Sequence, residues 1–190
     1  MISQKDPKSK GVEGAFMEKS EMRKLAEFIE KLSWDDLPEE VKTTVSFRVL
    51  DLISAALGAV DDPLVKKVKA SYLERNNGTG GKIWGSEGET DISTAAYINA
   101  MLAHTLELDD VHPASKTHGS ASLIPAAWSC ARYVHASGKE FLTAVVCGYE
   151  TVSRIGMALG VTSHSKKRAG MPLLPAEVLA AQLPAESFWG

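Results

Sequence analysis

Cysteine is scarce. The chain has 190 residues and only two cysteines, Cys130 and Cys147, too few for a disulfide framework and without the CxxC spacing of a zinc site. Both stand in apolar, helical surroundings and read as buried, reduced thiols of a cytoplasmic protein. A basic excess is also missing: 21 Lys and Arg face 24 Asp and Glu, for a formal net charge of -3. A nucleic-acid partner is therefore not expected. No apolar run approaches the roughly 20 residues of a membrane-spanning helix, so no membrane is expected as a partner either. Residues 1–16 hold no apolar segment of the kind a secretory signal needs.

What is present is helical periodicity. Residues 1–19, rich in Lys, Gly and Ser, read as a disordered leader. Ser20 is placed to cap a first helix with a stripe of Met22, Leu25, Phe28, Ile29 and Leu32. Pro38 suits the first turn of a second, whose Val41, Val45, Val49, Leu52 and Ala56 recur at helical steps to about Gly58. Asp61, Asp62 and Pro63 open a third, through Leu64, Val65, Val68 and Leu73, which closes at Asn76-Asn77-Gly78. A glycine-rich connector follows, with Lys82-Ile83-Trp84 as a short extended piece; it lacks the spacing of a phosphate loop. A fourth helix, capped by Asp91 or Ser93 and lined by Ala95, Ala96, Ala100 and Ala103, belongs at the centre and runs to about Asp110. A fifth spans Gly119 or Ser120 to His135. A sixth starts at the capping box Ser137/Glu140 and runs to about Leu159. Trp34, Trp84 and Trp128 read as packing residues, while His135 and His164 read as surface groups. The fold class is all-α, a multi-helix bundle.

Chemistry concentrates in residues 104–119, which hold His104, His112 and His118, three of the five histidines, with Glu107, Asp109, Asp110 and Lys116. Helical spacing puts His104, Glu107 and Val111 on one face. Pro113 then breaks the chain, leaving His112, Lys116 and His118 in a loop beside the N-terminus of the fifth helix, where free N–H groups favour anions. Two imidazoles, an ammonium and a helix N-terminus suit a carboxylate-bearing substrate, with either histidine as general acid or base. The same pattern also fits a solvated helix end with surface histidines. A metal site is disfavoured: His104-x-x-Glu107 reverses the Glu-x-x-His order of di-iron bundles and has no second copy. Asp109-Asp110 lacks the downstream acidic residues that a prenyl-diphosphate site requires.

A longer ordered set spans residues 22–162. It comprises Leu25-Ala-Glu-Phe28, Asp36-Leu-Pro38-Glu-Glu-Val41, Leu50-Asp51 and Ala100-x-x-Ala-His104-x-Leu-Glu-Leu-Asp109-Asp110-x-His112-Pro113. It continues with His118-Gly119, Pro125-Ala126-Ala127, Ser137-Gly138-Lys139-Glu140, Gly148-Tyr149-Glu150 and Arg154-Ile155-Gly156. In this the chain resembles the N-terminal helical domain of the MmgE/PrpD family, which includes 2-methylcitrate dehydratases and cis-aconitate decarboxylases. The resemblance implies a cofactor-free lyase, without metal, for a polycarboxylate such as 2-methylcitrate, or for decarboxylation or isomerisation of a related acid. It implies that His118 transfers a proton or contacts a substrate carboxylate, with His112 and Glu107 beside it as catalytic residues. Asp109, Asp110, Lys116 and His104 would position or bind substrate. Glu107 stands where the family commonly has Asp, and Val111 where it often has Thr.

Family members are more than twice as long and carry an α/β lid domain. The expectation is thus an incomplete helical domain over 20–168, followed by an unrelated tail over 169–190. The chain is expected to be truncated and to have little or no turnover alone. It is also expected to form a homodimer and to expose apolar surface on the fifth and sixth helices.

Overall fold

The structure, a computed structural model, describes residues 20–76 and 78–158. The leader 1–19, His164 and the tail 169–190 lie outside the described residues. Those described form six helices, α1 (Glu21–Lys31), α2 (Glu39–Gly58), α3 (Pro63–Leu73), α4 (Ile92–Thr105), α5 (Gly119–Tyr133) and α6 (Gly138–Ala158), with a 3₁₀ turn at Trp34–Asp36. No strand occurs among them, and the all-α class holds.

Local chemistry sets most of the boundaries. The Ser20 hydroxyl accepts from the Arg23 N–H to cap α1. Pro38 precedes α2 as its N-cap residue and does not enter the first turn. Asp62 accepts from the N–H groups of Leu64 and Val65 at the head of α3, and α3 leaves α2 at 94°. Asp91, and not Ser93, caps α4 by accepting from Ser93 and Thr94. Ser137 and Glu140 exchange hydrogen bonds of 2.7 and 3.3 Å in the capping box before α6.

Helix α4 is the central element, packed against α2, α3 and α5, while α6 closes over α5 and α2. Its Ala95, Ile98 and Ala103 are fully buried, and small side chains there let neighbouring helices approach closely. The core continues through Val45, Leu52, Val65, Ile124, Val145 and Tyr149. Trp84 is buried against Trp128, which meets Phe141 edge to face, so these aromatics pack the interior.

Four expectations need correction. The Lys82–Trp84 piece is no strand: Asn99, fully buried on α4, accepts from the Trp84 N–H and donates to the Lys82 carbonyl. Nearby, Gly81 and Thr90 form an isolated bridge. Helix α4 stops at Thr105, well before Asp110, because Glu107 adopts φ 50° and turns the chain away. The thiols are not both buried, since Cys130 is exposed and Cys147 only half-buried. Burial raises the pKa of the Cys147 thiol. Finally, exposed apolar side chains gather on α2 (Phe47, Leu50, Leu57) and at the end of α5 (Tyr133, Val134); α6 presents no large one among the described residues.

Candidate active site

The turn after α4 creates the site. With Leu106 as the last helix-flanking residue, Glu107 takes the left-handed conformation that glycine usually occupies there, and its N–H bonds the His104 carbonyl at 3.1 Å. The reversal folds Asp109 back beneath the last turn of α4. Its carboxylate is fully buried, with 0% side-chain exposure. Nδ1 of His104 lies 2.9 and 3.0 Å from the two Asp109 oxygens, and Nδ1 of His118 lies 3.1 Å from Oδ2. The two rings stand 5.2 Å apart at 76° to each other, both about half exposed. With its proton on Nδ1, each imidazole donates to the shared carboxylate and turns Nε2 outward as an acceptor. This pairing of a histidine with a buried carboxylate fixes tautomer and ring orientation, as an acid–base group requires.

His118 is also the residue at the head of α5. Its own side chain does not cap the helix; Asp110 does, accepting from the Ser120 N–H at 3.0 Å. Asp110 further accepts from Arg48 at 2.6 Å and from the Tyr149 hydroxyl at 2.7 Å. Burial pushes the Asp110 carboxyl up, but bonds from Ser120 and Tyr149 and the Arg48 charge outweigh it and leave the pKa lowered. Burial, then the hydrogen bond to Asp110 and its charge, push Tyr149 far upward, so it remains a phenol and a donor.

His112 faces another way. Its Nδ1 lies 2.7 Å from the Ser115 hydroxyl, and its N–H bonds the Thr117 carbonyl. It lines a cavity of about 50 Å³ with Arg48, Asp110, Thr117, Tyr149 and Ser153. That volume suits one or two waters, not a polycarboxylate. Two glycines permit the close fit of this loop. A Cβ on Gly156 of α6 would stand 2.6 Å from that of Ser115, and one on Gly119 would stand 2.9 Å from the Tyr149 ring.

The structure thus gathers His104, Asp109 and His118, and separately Asp110 and His112, but it does not bring in Glu107. Glu107 was expected on the face of α4; it is instead an exposed turn residue past the helix end. Lys116, also at positive φ, is exposed in the loop. Arg48 and Tyr149 were not foreseen as part of the site. For Tyr149, the signal was a tyrosine on the buried stripe of α6, since a buried hydroxyl needs a partner. Arg48 is 62 residues from Asp110 in sequence and left no local sign.

A second and larger concavity, about 740 Å³, lies at the far end of α5 among Trp128, Arg132, Tyr133 and Phe141. Helix geometry puts it roughly 20 Å from the imidazoles. Its Arg132 is paired with Glu89, and it has no counterpart to the buried carboxylate with two imidazoles.

A profile of the MmgE/PrpD N-terminal domain matches residues 23–181, which reaches into the segment set apart above as a tail. A cis-aconitate decarboxylase-like protein, oryM, of Aspergillus oryzae is 27% identical over 142 residues, covering 71% of this chain and 30% of its own length. The cis-aconitate decarboxylase of Aspergillus terreus is 24% identical over 133 residues, or 67% of this chain and 27% of its own. The chain therefore spans about three tenths of the length of these curated relatives.

Proposed function

The chain belongs to the MmgE/PrpD family, and from that premise we propose that it forms the histidine-bearing part of a lyase acting on a polycarboxylate. His118 is the proton-transfer group. The observation that carries this reading is the fully buried Asp109 carboxylate, which holds the His118 ring by Nδ1 at the head of α5 and leaves Nε2 outward. The exposed Lys116 of the same loop supplies a positive charge that favours an anionic ligand there.

Two reactions use such a group in opposite senses. Dehydration of a hydroxy-polycarboxylate such as 2-methylcitrate needs a base to take the proton beside a carboxylate, while an acid assists the departing hydroxide. Decarboxylation of an unsaturated acid such as cis-aconitate breaks the bond to CO₂ and leaves an electron pair on carbon, which an acid must protonate. The relatives named above are decarboxylases or decarboxylase-like, and this favours the second reaction. Neither reaction is sheltered by the described residues alone, since the cavity next to His112 is far smaller than a polycarboxylate. Substrate enclosure then falls to residues outside those described or to another chain.

The test is an assay of the whole chain with 2-methylcitrate and with cis-aconitate, following the unsaturated product by ultraviolet absorbance. Turnover of either, reduced at least a hundredfold in His118→Ala, supports the reading. Turnover that survives that substitution ends it; where the chain alone shows none, as its short span leads one to expect, failure of both acids to bind in a His118-dependent way ends it instead.

A further inference from the structure

We infer that His104, Asp109 and His118 form a binding site for a divalent first-row transition-metal ion such as zinc. The inference goes beyond the lyase reading, because it concerns the Nδ1 side of the cluster and an ion that proton transfer does not require.

Three observations carry it. First, Asp109 is fully buried, yet its ion partners among the described residues are imidazoles alone. A carboxylate taken out of water needs a compensating positive charge. The nearby guanidinium of Arg48 is already paired with Asp110 and supplies none. Second, one ligand atom from each residue lies within 4.8 Å of the others, with the Nδ1-to-oxygen distances at 2.9 to 3.1 Å. Neighbouring ligands of a tetrahedral ion with bonds of about 2.0–2.1 Å stand about 3.3–3.4 Å apart, so shifts of a few tenths of an ångström would bring the three donors onto one ion. Third, the two imidazoles are 52% and 45% exposed beside a sealed carboxylate, so solvent, and with it an ion, reaches both rings. Two imidazoles and a carboxylate with open positions suit zinc, iron, cobalt or nickel, whereas magnesium and calcium prefer oxygen alone. The donor that sequence spacing offered beside His104 was Glu107; the turn puts Asp109 there instead.

Binding changes no oxidation state. Each Nδ1 lone pair is donated to the ion, and the ring proton moves from Nδ1 to Nε2. Two neutral imidazoles, one carboxylate and a dication leave the site with a single positive charge. An ion so bound leaves His118 Nε2 protonated and unable to accept a further proton, so a metal-loaded chain should be poor at any step that needs His118 as base.

The experiment uses the whole chain, freed of metal by chelator dialysis and titrated with Co²⁺ followed by its visible absorption, then with Zn²⁺ in competition. The expected result is one ion per chain at micromolar affinity, displaced by zinc. His104→Ala and His118→Ala should each weaken binding at least tenfold, and Asp109→Asn likewise. His135→Ala, which alters an exposed histidine outside the cluster, should leave binding unchanged. Both ring substitutions fall on half-exposed groups, and circular dichroism checks that each variant is folded. Absence of Co²⁺ bands, or equal binding by wild type and the His104→Ala/His118→Ala double variant, overturns the proposal. Neither result touches the lyase reading, which is decided by turnover in chelator-treated protein.

Discussion

Asp109 and Asp110 are adjacent in sequence and opposite in use. Among the described residues, Asp109 meets two half-exposed imidazoles and no lysine or arginine. Asp110 meets a guanidinium, a phenol and the N–H of Ser120 at the head of α5, all from elements outside its own turn. One carboxylate orients groups that face outward; the other ties α2, α5 and α6 to the same loop. The difference teaches that an acidic pair in a motif need not be a pair in function. The turn at Leu106 and Glu107 delivers the two side chains to separate environments, and the partners each finds decide its role.

The comparison can be broken most directly at Asp110. Asp110→Ala leaves Arg48, Tyr149 and the Ser120 N–H without their shared acceptor, and should lower unfolding free energy by about 2–4 kcal/mol in chemical denaturation. A loss well under 1 kcal/mol would show that Asp110 does not hold the helices together. Asp109→Asn should behave in reverse: it removes a buried charge lacking a strong cation, so stability changes by about 1 kcal/mol or less. Turnover in the lyase assay should nevertheless drop about a hundredfold or more, because the imidazoles lose their orienting acceptor.

A smaller effect sharpens the contrast through pH. The native Asp110 pKa is lowered, so its contribution to stability is full above the unfolded-state value and is lost as pH falls through the native one. Melting temperature should therefore fall on acidification below about pH 4, and Asp110→Asn should flatten that acid limb. Equal slopes in the two proteins would contradict the assignment. The smallest effect is expected at Glu107. Glycine relieves the left-handed strain but loosens the unfolded chain, so Glu107→Gly should raise stability by at most about 1 kcal/mol, whereas Glu107→Val should lower it. Destabilisation by glycine would mean that the glutamate side chain does more than occupy a turn.

The helices were legible because their signals are local. Ser20, Asp62, Asp91 and the Ser137/Glu140 box each sit at a helix start as the sequence pattern predicts, although Ser93 was an equal candidate for α4. The end of α4 was not legible, since no glycine marks the left-handed residue and Glu107 continues the apparent helical stripe. That error placed Glu107 beside His104 and hid Asp109, the residue that the structure puts between the two imidazoles. Which histidines would meet was likewise not encoded by spacing. His112 and His118 share one loop, yet His112 faces Ser115 while His118 joins a ring on the preceding helix. The resemblance to a known family marked His118-Gly119, Gly148-Tyr149-Glu150 and Arg154-Ile155-Gly156 as a set; only the packing shows that they touch one loop.

Gly156 has a consequence for how this molecule comes into being. The backbone of Ser115 rests on α6 at Gly156, where a side chain is missing, and Tyr149 on the same helix both abuts Gly119 and holds Asp110. The loop between α4 and α5 therefore has no mould until α6 has been synthesised and laid down. Both imidazoles are synthesised before α6, so the loop that carries His118 should settle into its final packing only after that helix has been made.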